Sequence, residues 1–412
     1  MMANFFFIIT FAKMRIEMYF LFLSFLFFPS SACFTADTNN VQPSIKVGAE
    51  RIHAYLPRVS SKKVGLVVNN TSRVGNTHLL DTLLSLGVKV EKVFAPEHGF
   101  RGEADAGATI KDGRDESTGL PLVSLYGAKK KPGPEDLRGL EMIIFDIQDV
   151  GVRFYTYIST LHYVMEACAE QGIPLLVLDR PNPNGHYIDG PVLDPAFSSF
   201  VGMHSVPVVH GMTIGEYALM TKGENWINQA DQLDLEVITC EQYYHQLLYD
   251  LPVRPSPNLP NLRSILLYPS LCFFEGTDIS VGRGTDLQFQ IIGHPSLKSK
   301  FDFSFTPASK PGAKSPPHLG KTCYGISYAD SEVEALFQQK RLDLSPLIVM
   351  FAAMSVDKDF FLKNLFFDKL AGTDQLRKAL LAGKDEAWIR AQWQADLLKY
   401  DKMRQAYLLY PL

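Results

Sequence analysis

The stretch "LEMIIFDIQDVGVRFYTYISTLHYVMEACAEQGIPLLVLDR", Leu140–Arg180, decides the architecture. It opens and closes on apolar runs of strand length, "LEMIIF" and "IPLLVL". Between them "YISTLHYVMEACAEQG" is long enough for a crossover helix and ends on Gly172, a residue suited to a left-handed cap. Two strands joined through a helix predict a parallel pair. Upstream the pattern repeats: "KKVGLVVNN" is a valine-rich run, "THLLDTLLSLG" has leucines at helical spacing, and "VKVEKVFAP" and "LPLVSLYG" are further strands. Strands alternating with helices argue for a mostly parallel sheet covered on both faces. We therefore expect an α/β fold: a Rossmann-like domain over residues 45–250, a smaller C-terminal α+β domain over 251–412, and a cleft between them.

The bulk numbers agree with a globular protein of two or three domains. The chain has 412 residues, 46% hydrophobic and 20% charged, and a net charge of −4, which gives no support to a nucleic-acid partner. At the N-terminus, Lys13 and Arg15 precede "MYFLFLSFLFFPSSAC", an apolar run closing on small residues. That order reads as an export signal over residues 1–32, and it is short for a membrane span. Export to the periplasm or cell envelope is the expected location. Cleavage before Cys33 would leave a lipoprotein-like box, although Ser30 stands where such boxes carry an aliphatic residue; lipid anchoring and plain export are both expectations.

Polar residues gather where the predicted strands end: Asn69 and Asn70, Glu97 and His98, Asp146 and Gln148, Asp179 and Arg180. In open α/β sheets ligands bind beyond those ends. In "FAPEHGFRGEADAG", Glu97 and His98 follow Pro96, and Arg101, Glu103 and Asp105 come next. Such a glutamate can serve as a general acid or be a solvated loop residue. In "FDIQDVGVRFYTYIST", Asp146, Gln148, Asp149, Arg153, Tyr155 and Tyr157 crowd one strand end, where unpaired buried carboxylates would be costly. An Asp149–Arg153 pair closing a turn is the structural alternative. "VLDRPNPNG" supplies Arg180 and Asn182 on a loop stiffened by two prolines, and Thr213 in "HGMTIGE" reads as a helix cap with Glu216 in the first turn.

The second half is less periodic. "FFEGTDISVGRGTDLQFQ" offers Glu275 and Arg283, with Gly282 and Gly284 leaving room for an anionic group or simply making a turn. The dinucleotide glycine signature, the phosphate-loop signature, a serine-hydrolase elbow and Cys/His metal spacing are all missing from the sequence. We expect no cofactor and no catalytic metal, and we read Cys168, Cys240, Cys272 and Cys323 as buried small hydrophobes.

Together "NNTS", "FAPEHGFRGEADAG", "IIFDIQDVGVRFYTYISTL", "LDRPNPNG", "HGMTIGE" and "FFEGTDISVGRGT" resemble the NamZ-type exo-β-N-acetylmuramidases of bacteria, from about Lys62 onward. The resemblance implies a glycoside hydrolase that removes terminal N-acetylmuramic acid (MurNAc) from the non-reducing end of peptidoglycan fragments without a cofactor. It carries the leading catalytic role to Glu97. Asp146 or Asp149 would orient a neighbouring acetamide acting as nucleophile, and Glu275 is the possible partner in a two-carboxylate scheme. Arg283 is the favoured contact for the lactyl carboxylate, with Arg153 and Arg180 as alternatives. A periplasmic binding protein for sugars or muropeptides, and a phosphosugar enzyme using the Gly282–Gly284 turn, are the rival readings.

Overall fold

The computed structural model describes residues 45–97, 99–100, 112–354 and 360–412. The expected export signal, Cys33, His98, Arg101, Glu103 and Asp105 lie outside them. Six parallel strands are β1 (Lys63–Val68), β2 (Lys89–Ala95), β3 (Pro121–Ser124), β4 (Met142–Asp146), β5 (Leu175–Leu178) and β6 (Leu235–Ile238). They lie in the order β3-β2-β1-β4-β5-β6, and the short strand Gly113–Arg114 adds antiparallel to β3, making a seven-stranded sheet. This is the doubly wound Rossmann order, in which the chain leaves β1 in one direction and returns through β4 on its other side.

Period-two alternation sorts the strand residues into two cores. Val64, Leu66, Val68, Ile144, Leu176 and Leu178 face one layer, while Val67, Ile143, Phe145, Leu175 and Val177 face the other. The first layer is covered by α1 (Ile52–Val59) and α2 (Leu79–Ser85), through Tyr55, Val59, Leu79, Leu80 and Leu83. The second is covered by α3 (Tyr157–Gln171) and α4 (Ile214–Gly223). Strands buried on both faces explain why these runs read as continuous apolar stretches. Helix α3 ends on Gly172 at φ +62°, the left-handed cap expected of that glycine.

The C-terminal part combines helices with a small antiparallel sheet. Helix α5 (Leu262–Leu271) precedes β7 (Ile291–His294), β8 (Phe303–Phe305) and β9 (Cys323–Ser327), with β9 central. Helices follow, among them Ser345–Met354 and Gln394–Arg404. The apolar cluster on the α3 side of the large sheet runs on without a break through Ile265, Phe273, Phe289, Phe367 and Trp393. The chain's end returns to the large sheet, where the Tyr410 hydroxyl donates to Asp179 Oδ2 at 2.6 Å and accepts from the Cys240 amide at 2.8 Å. Cys168, Cys240, Cys272 and Cys323 are buried and unbridged. Among the described residues no helix is long and apolar enough to cross a membrane.

Candidate active site

The two strands flanking β1 are β2 and β4, so the ends of β1, β2 and β4 mark the point where the sheet's winding reverses. Two turns leave this edge. One carries Glu97 just beyond β2; the other runs from β4 to the start of α3 and carries Tyr155, Thr156 and Tyr157. These residues, with Tyr126 beyond β3, form one side of a cavity of about 230 Å³. Residues of the C-terminal part form the other side, including Ser256, Tyr268, Glu275, Arg283 and Phe289.

Glu97 is half-buried, and its Oε2 accepts a 2.8 Å hydrogen bond from Thr156 Oγ1. Thr156 immediately precedes α3, so this bond ties the turn beyond β2 to the start of that helix. A hydrogen-bonded chain fixes the wall behind it. Asn69 Nδ2 donates to the Tyr157 hydroxyl at 3.0 Å, Thr71 donates to Asn69 Oδ1 through its amide and its hydroxyl, and the Gln148 amide donates to Thr71 Oγ1 at 3.0 Å. Tyr155 donates to the Pro255 carbonyl at 2.7 Å and packs edge-on against Tyr157, their rings 5.0 Å apart. Burial pushes both tyrosine hydroxyls well above the ordinary range, and the Glu97 charge adds to the effect on Tyr157. Both therefore keep their protons at neutral pH. Phe154, Tyr268 and Phe289 continue the aromatic wall through edge-to-face contacts.

On the opposite side Glu275 Oε1 accepts from Arg283 Nε and Nη2, both at 2.6 Å. The guanidinium lies 5.3 Å from the centre of the Phe289 ring. Burial lowers the arginine's proton affinity, but the Glu275 charge, the hydrogen bond to it and smaller contributions from Tyr268 and Cys272 together make the net shift upward. Of the five N–H donors of a guanidinium, the pair uses two. Gly282 and Gly284 have φ of +76° and +80°, and a Cβ on either would meet backbone oxygens, of Leu287 at 2.7 Å and Ala308 at 2.5 Å. Their role is a tightly packed turn. On the side where a Cβ would stand, the space is filled by the protein.

The structure thus brings Glu97, Tyr155, Tyr157, Glu275 and Arg283 to one cavity, with Asn69 and Gln148 supporting its wall. It places the other expected site residues elsewhere. Asp146 is fully buried and gripped by Arg180, Nε to Oδ1 at 2.5 Å and Nη2 to Oδ2 at 2.9 Å, so neither residue lines the cavity. Asp149 is buried and accepts from the Gly151 amide at 2.6 Å. It makes no pair with Arg153, whose fully buried guanidinium donates to the carbonyls of Pro191, Val206 and Leu370 at 2.7–2.9 Å. Asn182 donates to the Met212 carbonyl and accepts from the Asn184 amide, both at 2.8 Å, within the fold. His98 lies outside the described residues.

Sequence reasoning missed Thr156, Tyr126, Tyr268 and Phe289. Thr156 carried a usable signal as the hydroxyl residue ahead of a predicted helix. Tyr126 stands at a strand end like the residues that were found. Tyr268 and Phe289 come from aperiodic sequence and carried none.

Known proteins are similar to this chain in sequence and in fold. The family model "Exo-beta-N-acetylmuramidase NamZ, N-terminal" matches residues 64–263, and its C-terminal counterpart matches residues 266–410. The peptidoglycan β-N-acetylmuramidase NamZ of Bacillus subtilis (strain 168) is 38% identical over 389 residues, covering 90% of this chain and 92% of that protein. Crystal structures of two DUF1343 family proteins from Bacteroides fragilis NCTC 9343 superimpose with TM-scores of 0.82 and 0.71, at 44% and 27% identity, each covering 89% of this chain and 99% of the other. With both family models matched across nearly all the described residues, the chain belongs to the NamZ exo-β-N-acetylmuramidase family.

Proposed function

We propose that this chain is an exo-acting glycoside hydrolase that releases terminal β-linked MurNAc from the non-reducing end of peptidoglycan fragments, with Glu97 as general acid. The observation that carries the reading is that the Glu97 carboxylate, held by the Thr156 hydroxyl, borders an aromatic-lined cavity of about 230 Å³. That volume suits one sugar unit more than a glycan strand. Aromatic faces offer stacking to a sugar ring, and tyrosine hydroxyls offer donors to its oxygens.

Glu97 gives its proton to the glycosidic oxygen as the C1–O bond breaks and the sugar gains oxocarbenium character. Water then supplies hydroxide to C1 and returns a proton to Glu97. Asp146 is unsuited to orienting an acetamide, because Arg180 holds both of its oxygens inside the fold. Glu275, paired with Arg283, is the second cavity carboxylate and the candidate for stabilising the opposite face of the sugar. The three remaining guanidinium N–H groups of Arg283 suit the lactyl carboxylate that distinguishes MurNAc from N-acetylglucosamine. Peptidoglycan lies outside the cytoplasm, and the apolar run before Cys33 fits export to it.

The test is release of free MurNAc from a chromogenic β-MurNAc glycoside and from an unactivated MurNAc-terminated disaccharide. Turnover of both, with internal bonds of long glycan strands left intact, is expected. Saturable binding without turnover would instead identify a sugar-binding protein.

A further inference from the structure

Away from the cavity, three side chains far apart in sequence converge. Asp278 follows the turn Cys272–Gly276, His294 closes β7, and His318 sits in the loop between β8 and β9. His294 Nε2 lies 3.0 Å from Asp278 Oδ2 and His318 Nε2 lies 3.7 Å from Asp278 Oδ1, with one ligand atom of each residue within 4.8 Å of the others. The two rings meet edge to face at 4.7 Å. His294 is buried and His318 is nearly so, whereas the Asp278 side chain is 49% exposed and leaves a path for an ion. None of the three lines the cavity that holds Glu97.

Two imidazole nitrogens and one carboxylate are the donor set of the zinc class of ions, which bind at about 2.0–2.2 Å in tetrahedral array. Ligand atoms in such an array stand about 3.3–3.5 Å apart, so small side-chain rotations would close this group around an ion. Nitrogen donors disfavour calcium and magnesium. A supporting partner is also present, because His294 Nδ1 lies 2.7 Å from Ser296 Oγ and 3.1 Å from the Ser296 amide. Without an ion, Nδ1 accepts from the amide and Nε2–H faces Asp278. With an ion on Nε2, the proton moves to Nδ1 and the hydroxyl oxygen accepts it in place of the bond from the amide, so the ring need not turn. Without an ion, His318 Nε2 donates to the Asp278 carbonyl at 2.7 Å, a bond that an ion on this nitrogen would replace, and the residue holds a φ of +59°, unusual for a residue with a side chain. Local tension at that position is tolerated while its ring is kept against Asp278.

We propose that Asp278, His294 and His318 bind one divalent transition ion of the zinc class, which ties the loop carrying Glu275 and Arg283 to the small antiparallel sheet. The role is to brace the cavity wall, with no part in bond cleavage, and the proposal is independent of the glycosidase reading. The sequence offered no hint, since Asp278 is separated from His294 by 16 positions and from His318 by 40.

The probe is Zn²⁺ alone, titrated by calorimetry into untagged, chelator-stripped protein. One ion per chain is expected, with a rise in Tm on loading, and visible absorption bands of a low-coordinate site when Co²⁺ is substituted. Asp278→Asn and His318→Ala should each weaken Zn²⁺ binding at least about tenfold and remove the Tm rise. Asp278→Asn changes a half-exposed side chain and keeps the fold, which circular dichroism would verify. Absence of saturable Zn²⁺ binding, or binding of equal strength in a folded Asp278→Asn variant, would overturn the site.

Discussion

Glu97 and Asp146 make a natural pair. Each lies at the C-terminal end of a strand hydrogen-bonded to β1, one beyond β2 and the other closing β4, and in sequence each is an acid after an apolar run. In space they serve different ends. Asp146 is fully buried with a guanidinium across both oxygens, whereas Glu97 is half-buried, takes a hydroxyl from Thr156 and borders a cavity. A carboxylate matched oxygen for oxygen by a buried cation is committed to the fold. One that borders a cavity can meet a substrate. The same contrast separates two arginines: Arg180 is buried on Asp146, while Arg283, though paired, lies in the cavity wall.

The largest effect should come from breaking the buried side of this comparison. Arg180→Met strands the Asp146 carboxylate in the interior, and loss of about 3–5 kcal/mol of stability is expected, the usual result of removing one partner of a buried pair. Urea unfolding would measure it. A loss below about 1 kcal/mol would mean that Asp146 has another way to be satisfied.

Next comes Arg283→Ala, which removes a cation from the cavity and leaves the Glu275 anion. A MurNAc glycoside should lose about 1.5–3 kcal/mol in kcat/KM, the scale of a charge-assisted hydrogen bond, with a much smaller loss on the neutral N-acetylglucosamine analogue. Equal losses on both sugars would assign Arg283 to the common ring or to the wall.

A smaller effect concerns acid. Burial holds His204 down to about 3, with His162 beside it adding to the shift, and burial holds His186 down to about 4. Both are neutral in the folded chain, while unfolding restores a value near 6.5. As pH falls below about 6.5 the unfolded chain takes up protons that the folded chain refuses, so stability is lost. Asp179 works in the opposite sense. Burial, reinforced by the nearby Glu216 charge, raises it to about 6 against its hydrogen bonds from Tyr410, Thr213 and Gly215. Between about 6 and 4 the folded chain is therefore the first to protonate there, which adds stability on acidification. Two histidines against one aspartate predict a net loss on the order of 1–2 kcal/mol from pH 6.5 to 5.5. Urea midpoints that rise over that interval would contradict the assignment.

Much of the sheet was legible because buried parallel strands leave continuous apolar runs, and because Gly172 and Thr213 mark helix ends by their own chemistry. Thr213 caps α4 reciprocally with Glu216, as the "TIGE" spacing implied. The strand-end residues were legible as a group. Their division between fold and cavity was not, because Asp146 is committed by an arginine 34 positions later and Arg153 by carbonyls as distant as Leu370. Glu275 and Arg283 were found by their charge, but their mutual pairing and the aromatic wall from Tyr268 and Phe289 depend on how aperiodic sequence packs.

The most direct test sets the two acids against each other, measuring turnover of a MurNAc-terminated disaccharide per folded molecule for Glu97→Gln and Asp146→Asn. Glu97→Gln should fold normally and lose about 10²-fold or more in kcat, the scale of general acid catalysis. Asp146→Asn should unfold more easily yet, where folded, keep kcat within a few-fold of the parent. A folded Asp146→Asn variant that is inactive, beside a Glu97→Gln variant that still turns over, would contradict the account.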